Sequence, residues 1–385
     1  MGAKKKIDLS LCALTACVMT VYNVLPTILP IYLSYSPFSA SPAEIGLLTA
    51  VPSLTSLLFR IPFGILSDKK GKKPILAISL FSAAASSVMF YYSKDVSMII
   101  FSSIVYGIST STFVPVSLSI ISGLYVAEEQ QKPLALFTFA SAIGVVLGPT
   151  ILSFFLLFVE IKDGFILSLI ILLLGLGVFA LGFRDSMETQ ESPLDFKHSF
   201  SRILRNSNIV ASSLILSCSM LAMNAVTTFL PVLLIEQLNL DPRLGVTLIM
   251  IRSFSIIIMR ALILMNIQNR IGVKRFVIAA LFLNLGVPLI SLGRNFFDMV
   301  TPVTLSGLAH GALYPLSSYI VSKETNPEDA GLANSYFMLI VDATGFLSSA
   351  LLGIVAEISN LSLVFIFGGI TSAVGALISF LSLRI

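Results

Sequence analysis

The most informative stretch of the chain reads Arg60-Ile-Pro-Phe-Gly64-Ile-Leu-Ser-Asp68-Lys-Lys-Gly71-Lys-Lys-Pro74. An apolar run ends here in a short, strongly basic turn, and a second apolar run begins at once with Ile75. Gly71 can adopt the positive φ that such a tight turn needs, and the lysines favour the anionic cytoplasmic face of a membrane. The stretch therefore predicts two membrane-spanning helices joined by a tight cytoplasmic loop.

Two further positions in this stretch predict contacts with other helices. Gly64 has no side chain, so another helix can approach its backbone closely. Asp68 can present its carboxylate to the N-terminus of that neighbour, an interaction of about 0.3 to 1 kcal/mol. The pattern resembles the signature loop between helices two and three of the major facilitator superfamily. The residues that carry the resemblance are Gly64, Leu66, Ser67, Asp68, Gly71, Lys72 and Lys73.

The composition is that of an integral membrane protein. Hydrophobic residues make up 56% of the 385 residues, charged residues only 11%, and the mean hydropathy is +0.96. The net charge of +4 does not indicate nucleic-acid binding, because the basic residues lie at the ends of the apolar runs. Cys12, Cys17 and Cys218 lack the spacing of a metal site, so we expect no cofactor.

A span needs about 20 apolar residues, and the apolar runs between helix breakers predict twelve of them. The predicted spans lie near residues 9–33, 44–67, 73–92, 97–125, 133–158, 162–183, 208–235, 243–268, 274–293, 298–321, 332–357 and 361–383. The expected fold is thus an all-α membrane protein with two pseudo-symmetric six-helix bundles, residues 1–183 and 208–385. The polar stretch 184–207 is interpreted as a cytoplasmic linker between them.

The two halves repeat each other at a nearly constant offset. Pairs of identical residues 200 or 201 positions apart occur in chain order, and this indicates a duplication of six helices. Such parallel repeats are known from the two halves of this superfamily. The pairs are Asn23 and Asn224, Pro30 and Pro231, Arg60 and Arg260, Gly71 and Gly272, Gly107 and Gly307, Pro115 and Pro315, and Gly144 and Gly345.

The distribution of Lys and Arg predicts the orientation of the chain. Of the 24 such residues, 17 lie at the termini and in the even-numbered loops, and only four in the odd-numbered loops. By the positive-inside rule both termini are cytoplasmic. We therefore expect a multi-pass protein of the cell membrane. Its expected partners are the bilayer and a small-molecule substrate, and we expect the protein to be a monomer.

A second motif lies in span five, where Gly144-Val-Val-Leu-Gly148-Pro149 resembles a signature of exporters in the same superfamily. The resemblance implies export by antiport. The physical reading is a close-packed kink, since glycines let helices touch and Pro149 removes a backbone hydrogen bond. Family members that couple drug export to protons usually carry an arginine in span four, where this chain has Ser103.

Ionisable residues deep within spans cost roughly 2.5 to 3.5 kcal/mol each, so each needs a partner or a purpose. Arg60 and Arg260 either snorkel to the cytoplasm or pair within the bundle. The resemblance places spans two and eleven side by side, and this predicts an ion pair between Arg60 and Asp342 that ties and gates the two halves. Asp342 is also a candidate proton carrier.

The candidate substrate-binding residues are Asn23, Asn224, Arg252 and His310. Arg252 has no acidic residue at its level in span eight, so it either meets an anionic substrate or packs between helices. His310 could titrate near neutral pH and serve in proton coupling, or it could be a packed hydrogen-bonding residue. Asn23 and Asn224 could contact substrate or hold helices together.

These features predict a secondary active transporter that works by alternating access. Its expected cargo is a hydrophobic or amphipathic small molecule moved outward, with protons as the candidate coupling ion. The alternative cargo is a small polar or anionic metabolite, anchored by Arg252. A membrane scaffold is a further alternative, whereas an enzyme is not expected because no nucleophile with a base, metal-spaced set or phosphate loop occurs.

Overall fold

The computed structural model describes residues 2–35, 38–125, 131–183, 202–265, 267–325 and 330–383, and within these ranges every regular element is a helix. Twelve long helices carry the fold, which confirms the predicted class. The first six are α1 (Gly2–Ser34), α2 (Pro42–Lys70), α3 (Lys72–Tyr91), α4 (Val96–Leu124), α5 (Gln131–Phe155) and α6 (Gly164–Gly182). The last six are α7 (Ser207–Glu236), α8 (Pro242–Leu264), α9 (Val273–Leu292), α10 (Phe296–Lys323), α11 (Ala330–Ile358) and α12 (Leu361–Ser382).

Two of the later helices change their winding near a proline. In α7 a π-helical turn, Ala225–Phe229, lies just before Pro231, and α9 ends in a 3-10 turn, Val287–Leu292, that contains Pro288. Proline has no backbone N–H and clashes with the preceding turn, so the helix relieves the conflict by changing its hydrogen-bond spacing. The helix α1 begins at Gly2, earlier than predicted, because no helix breaker separates the basic N-terminus from the apolar run.

Both predicted turns form at their glycines. The first hairpin is shorter than expected, whereas the second contains a short helix, Ile267–Ile271, between α8 and Gly272. The helix α2 continues through Lys69 and Lys70, so Gly71 alone separates it from α3. Gly71 has a φ of 93°, and Gly272, before α9, has a φ of 91°. Side chains strain at such angles whereas glycine does not, and the two turns are 201 residues apart.

The described residues group into two compact units. The first contains Met1–Ser39 and Val51–Ser192, and the second contains Ala40–Ala50 and Pro193–Ile385. The helix α2 is therefore shared, because its first turns group with the second unit and the rest with the first. The predicted linker falls mostly on residues 184–201, outside the described residues, so the domain boundaries stay a prediction.

Each unit repeats the same helix contacts at the offset found in the sequence. In the first unit a methyl group at Gly107 would lie 2.5 Å from the Thr55 Cβ on α2. In the second, a methyl group at Gly307 would lie 2.7 Å from the Ser255 Cβ on α8. Both members of the second pair are 200 residues beyond those of the first. The glycines thus let α4 approach α2, and α10 approach α8, at equivalent places.

A second pair of contacts shows the same offset of 200 or 201 residues between the two units. A methyl group at Gly175 on α6 would lie 3.4 Å from the Cys17 Cβ on α1. At the corresponding position of the second unit, one at Gly375 on α12 would lie 2.9 Å from the Cys218 Cβ on α7. The three cysteines are free, and two of them serve as small packing residues.

The helices suit a bilayer in length and composition. Among the described residues, eleven helices are long and apolar enough to cross a membrane. The remaining long helix, α10, has 28 residues, but its serines, threonines, His310 and Tyr314 lower its mean hydropathy. Large apolar side chains such as Phe158 and Phe380 are exposed, as expected for surfaces in contact with lipid chains.

The glycine contacts predict how substitutions affect stability. Gly307→Ala should destabilise the protein by about 1 to 3 kcal/mol, because the added methyl group overlaps α8. Gly177→Ala is the matched control, since its methyl group would meet nothing within 4 Å and alanine favours the helix by up to about 1 kcal/mol. Thermal unfolding in detergent measures both. Equal melting temperatures for the two variants would contradict the close contact.

Candidate transport site

The exporter-like motif of α5 lies against α1. A methyl group at Gly148 would lie 2.6 Å from the Thr20 carbonyl oxygen and 2.9 Å from the Asn23 Cβ. One turn earlier, a methyl group at Gly144 would overlap Met19. The backbone of α5 therefore contacts backbone and side-chain atoms of α1 over two turns, just before Pro149. The close packing predicted for this motif is present.

Asn23 itself is turned partly toward its own helix. Its Nδ2 atom donates a hydrogen bond to the Met19 carbonyl oxygen at 2.7 Å. The amide therefore lies where α5 crosses α1, next to Gly148, and is half-buried. Its counterpart Asn224 behaves differently, since it is buried and donates to the Ser348 hydroxyl on α11. Asn224 thus joins two helices of the second unit.

A hydroxyl and aromatic cluster in the first unit was not predicted from the sequence. The Tyr22 hydroxyl lies 2.8 Å from the Ser109 hydroxyl, and the Ser79 hydroxyl donates to the Ser109 carbonyl oxygen at 3.0 Å. The Tyr22 ring contacts Tyr106 and Phe113 edge-on, with centroids 5.7 and 6.2 Å apart. Tyr22 directly precedes Asn23, which repeats as Asn224. This position next to a repeated residue was the available signal for the cluster in the sequence.

The second unit contains a column of buried basic groups between α8 and α10. Arg252 is only 4% exposed, and its Nε and Nη2 atoms have no hydrogen-bond partner within the described ranges. His310 lies within electrostatic range of both Arg252 and Arg260, and its Nδ1 atom likewise lacks a partner there. The ring of Tyr314 lies 6.1 Å from that of His310. Arg252 and His310, both candidates from the sequence, are therefore brought together.

Helical spacing and glycine contacts explain this column. Arg252 and Arg260 are eight residues apart, about two turns, and so share one face of α8. His310 and Tyr314 share a face of α10 for the same reason. Gly307 sits against the Arg252 carbonyl group, which draws the two faces together. The buried guanidinium groups leave N–H donors that an anion or a carbonyl oxygen could accept from.

The two residues of the predicted ion pair lie on different helices, and each has its own surroundings. Arg60, on α2, is 8% exposed and donates from Nη2 to the Ser56 hydroxyl at 3.0 Å. Asp342, on α11, is half-buried. Both residues take part in further interactions, and their pairing with each other stays a prediction.

The first turns of α2 do pack against α11. A methyl group at Gly46 would lie 2.7 Å from the Gly353 Cα, and the Ala43 N–H donates to a Glu357 carboxylate oxygen at 3.4 Å. All four residues belong to the second unit. Glycine on both sides allows this approach, and neither glycine lies in a motif that the sequence predicts to be functional.

The residues of the α2–α3 hairpin agree with their predicted roles to different degrees. Gly71 forms the turn, but a methyl group at Gly64 would meet nothing within 4 Å among the described residues, so the expected close approach of a helix is not seen there. Lys72, expected at the lipid surface, is 6% exposed and donates from Nζ to the Ser119 carbonyl oxygen on α4 at 2.5 Å. The carbonyl groups near a helix end attract a cation, and this explains the difference. The side chain of Asp68 lies outside the described residues.

Metal chemistry finds no support in the described residues, which contain no group of three or more His, Cys, Asp or Glu side chains able to hold an ion. Within the described residues, the partly exposed Tyr22 ring of the first unit and the unpartnered N–H groups of the basic column of the second are the groups that suit contact with a small molecule. Both sets of groups lie within membrane-spanning helices.

Known proteins resemble the chain, one of them over nearly all of its length. It is 23% identical over 368 residues to an uncharacterised MFS-type transporter, MJ1560, of Methanocaldococcus jannaschii, and the match covers 93% of this chain and 94% of the other. It is 30% identical over 104 residues to the efflux pump azaK of Aspergillus niger, a match to 27% of this chain and 22% of the pump. The chain thus matches about a fifth of that relative's length.

A solved structure, that of a point mutant of the nucleoside transporter NupG, shares the fold with a TM-score of 0.78 at 14% identity. The match covers 98% of this chain and 100% of NupG. A profile of the Major Facilitator Superfamily matches residues 11–283 and 261–385. With its duplicated six-helix units and its glycine-packed helices, the chain belongs to the Major Facilitator Superfamily, a family of membrane transporters and not of enzymes.

Proposed function

We propose that this transporter exports hydrophobic or amphipathic small molecules from the cell by alternating access, with protons moving inward in exchange. The observation that carries the proposal is the packing of Gly144 and Gly148 of α5 on α1, which is the close contact predicted from the exporter-like signature. The likeness to the efflux pump azaK supports it. The protein works as a monomer in the cell membrane, with both termini in the cytoplasm.

The side chains of the first unit suit such a cargo. The Tyr22 ring is partly exposed and packs edge-on against the buried rings of Tyr106 and Phe113, and an aromatic ring binds flat apolar molecules without strict shape requirements. The Tyr22 hydroxyl, 2.8 Å from that of Ser109, adds a polar group at one end of the ring. This combination favours amphipathic molecules.

Alternating access requires contacts that open and close. We assign this role to an ion pair between Arg60 and Asp342, since Arg60 belongs to the first unit and Asp342 to the second. The α2–α11 contact at Gly46 and Gly353 lies within the second unit and anchors the first turns of α2 there. The loop of Gly64, Asp68, Gly71 and Lys72 supports the opposite end of α2, as the family signature implies.

Transport into inside-out vesicles tests export directly. Ethidium, an amphipathic cation, should accumulate when the vesicle interior is acidic, and it should leave again when an ionophore collapses the pH gradient. Gly148→Leu should reduce the initial rate at least tenfold, because its side chain would separate α5 from α1, whereas Gly177→Leu should retain it. Accumulation that ignores the pH gradient would contradict proton exchange, and equal loss in both variants would contradict the role of the α5 contact.

A double-mutant cycle tests the gate. Arg60→Ala or Asp342→Ala alone should each lower stability by about 3 to 5 kcal/mol, since each leaves an uncompensated buried charge. The double variant should lose much less than the sum of the two. Thermal unfolding and vesicle transport measure both properties, and simple additivity would contradict the pairing. A stable Asp342→Asn transporter whose rate no longer depends on pH would assign the proton to Asp342.

A second candidate cargo is a small polar or anionic metabolite. The specific observation that favours it is the pair of Arg252 N–H groups without partners among the described residues. A buried cation without a counter-ion is costly, and a bound carboxylate would offset that cost with charge-assisted hydrogen bonds. His310, beside Arg252, would add a hydrogen-bonding or titrating group.

Arg252→Met separates this role from packing. Methionine keeps the length of the side chain and removes the buried charge, so the melting temperature should stay equal or rise. Transport of carboxyfluorescein, an amphipathic anion, should fall at least tenfold, while ethidium transport should stay within about twofold. A lower melting temperature with unchanged transport of both probes would return Arg252 to a structural role.

A further inference from the structure

A cavity outside the transport site lies at the end of the second unit that the predicted orientation makes cytoplasmic. Its volume is about 440 Å³, and it opens between the N-terminus of α9 and the last turns of α10. The residues that line it include Gly272, Lys274, Arg275, Tyr319, Ile320 and Lys323. Three of these six are cations, and nothing in the transport mechanism uses them.

Within the described residues, no carboxylate pairs with the exposed cations of this cavity. Arg275 and Lys323 are exposed and form no ion pair within the part of the chain that the structure describes. Glu324 follows Lys323, but a carboxylate oxygen of Glu324 accepts a hydrogen bond from Asn206 at 3.4 Å. The amide groups at the start of α9 add further positive potential, because Gly272 caps that helix without a side-chain acceptor.

The first unit shows why the cavity exists. There Lys72 is buried and reaches the Ser119 carbonyl group. The corresponding positions of the second unit are Val273 and Tyr319, so no lysine side chain fills the space. The positions that match Arg275 and Lys323 are Pro74 and Gly123. The second unit therefore has valine where the first has the filling lysine, and two cations at the rim where the first has proline and glycine.

The surroundings of the cavity are apolar and exposed. Tyr319 is 51% exposed, and tyrosine is favoured where lipid chains meet head groups. Lys274 donates to the Leu383 carbonyl oxygen at 2.7 Å and lies over the exposed Phe380 ring at 5.7 Å. This holds its ammonium group at the boundary between apolar surface and water. The site thus combines exposed cations with a surface that faces lipid chains.

We propose that this cavity binds the phosphate group of an anionic phospholipid from the adjacent leaflet. Arg275 and Lys323 would bind the phosphate oxygens, Lys274 would be the fixed cation at its side, and the acyl chains would lie along Tyr319 and Phe380. Basic pockets between membrane helices on the cytoplasmic side suit such head groups. The proposal does not depend on which molecule is transported.

Native mass spectrometry of the full-length protein in nonionic detergent tests the proposal. Phosphatidylglycerol should bind in preference to phosphatidylcholine. The double variant Arg275→Ala/Lys323→Ala should bind phosphatidylglycerol about tenfold to thirtyfold more weakly, and Arg275→Lys/Lys323→Arg should bind it nearly as well as the wild type. The matched control Lys94→Ala/Arg294→Ala removes two cations from the other predicted face and should bind normally.

Three outcomes would overturn the proposal. Equal binding of the two lipids by the wild type would show that charge is not recognised, and equal loss in the test and control variants would show only a dependence on net charge. Inorganic phosphate that raises the melting temperature as much as phosphatidylglycerol does, in the wild type alone, would assign the cavity to a soluble phosphate compound. Thermal unfolding of each variant without lipid confirms that a loss of binding does not reflect misfolding.

Discussion

Helices in a lipid environment gain no hydrophobic energy by associating, so close van der Waals packing must hold them together. In this protein glycine supplies that packing at equivalent points of the two halves. Gly107 lets α4 touch α2, and Gly307 lets α10 touch α8, with partner residues 200 positions apart. Gly148 draws α5 onto α1 in the same way. The compactness of each unit, and so the possibility of moving it as one body, depends on these contacts.

The same scaffold carries different chemistry in its two halves. Where the second unit has Arg252, the matching residue of the first unit is Pro52, and the position that matches His310 is Thr110. The first unit instead gathers Tyr22, Tyr106 and Phe113 around a hydroxyl pair. A duplicated fold has thereby become chemically asymmetric.

The fold could be predicted from the sequence because the strongest signals are long apolar runs, the positive-inside distribution of charge and glycines at a fixed offset. Gly71 and Gly272 were predictable since only glycine fits a one-residue turn with positive φ. The direction in which each helix face points was harder to predict. Lipid-facing and packed faces are both apolar, so the pattern did not show that Lys72 turns inward or that Gly64 meets open space in the described part of the structure. Arg252 and His310 were predictable as candidate residues because ionisable side chains are rare within spans. Their proximity was not predictable, because it depends on how Gly307 packs against α8.

We propose that the two units move relative to each other as internally rigid bodies during transport. Spin labels at the exposed positions Phe297 and Ile358 report a distance within the second unit, and labels at Phe158 and Phe297 report one between units. Double electron–electron resonance on a cysteine-free background measures both pairs, at neutral and acidic pH and with transported substrate. The account predicts one unchanged distance for the first pair and two populations with shifting weights for the second. A single fixed distance between the units under every condition, or equal changes in both pairs, would contradict it.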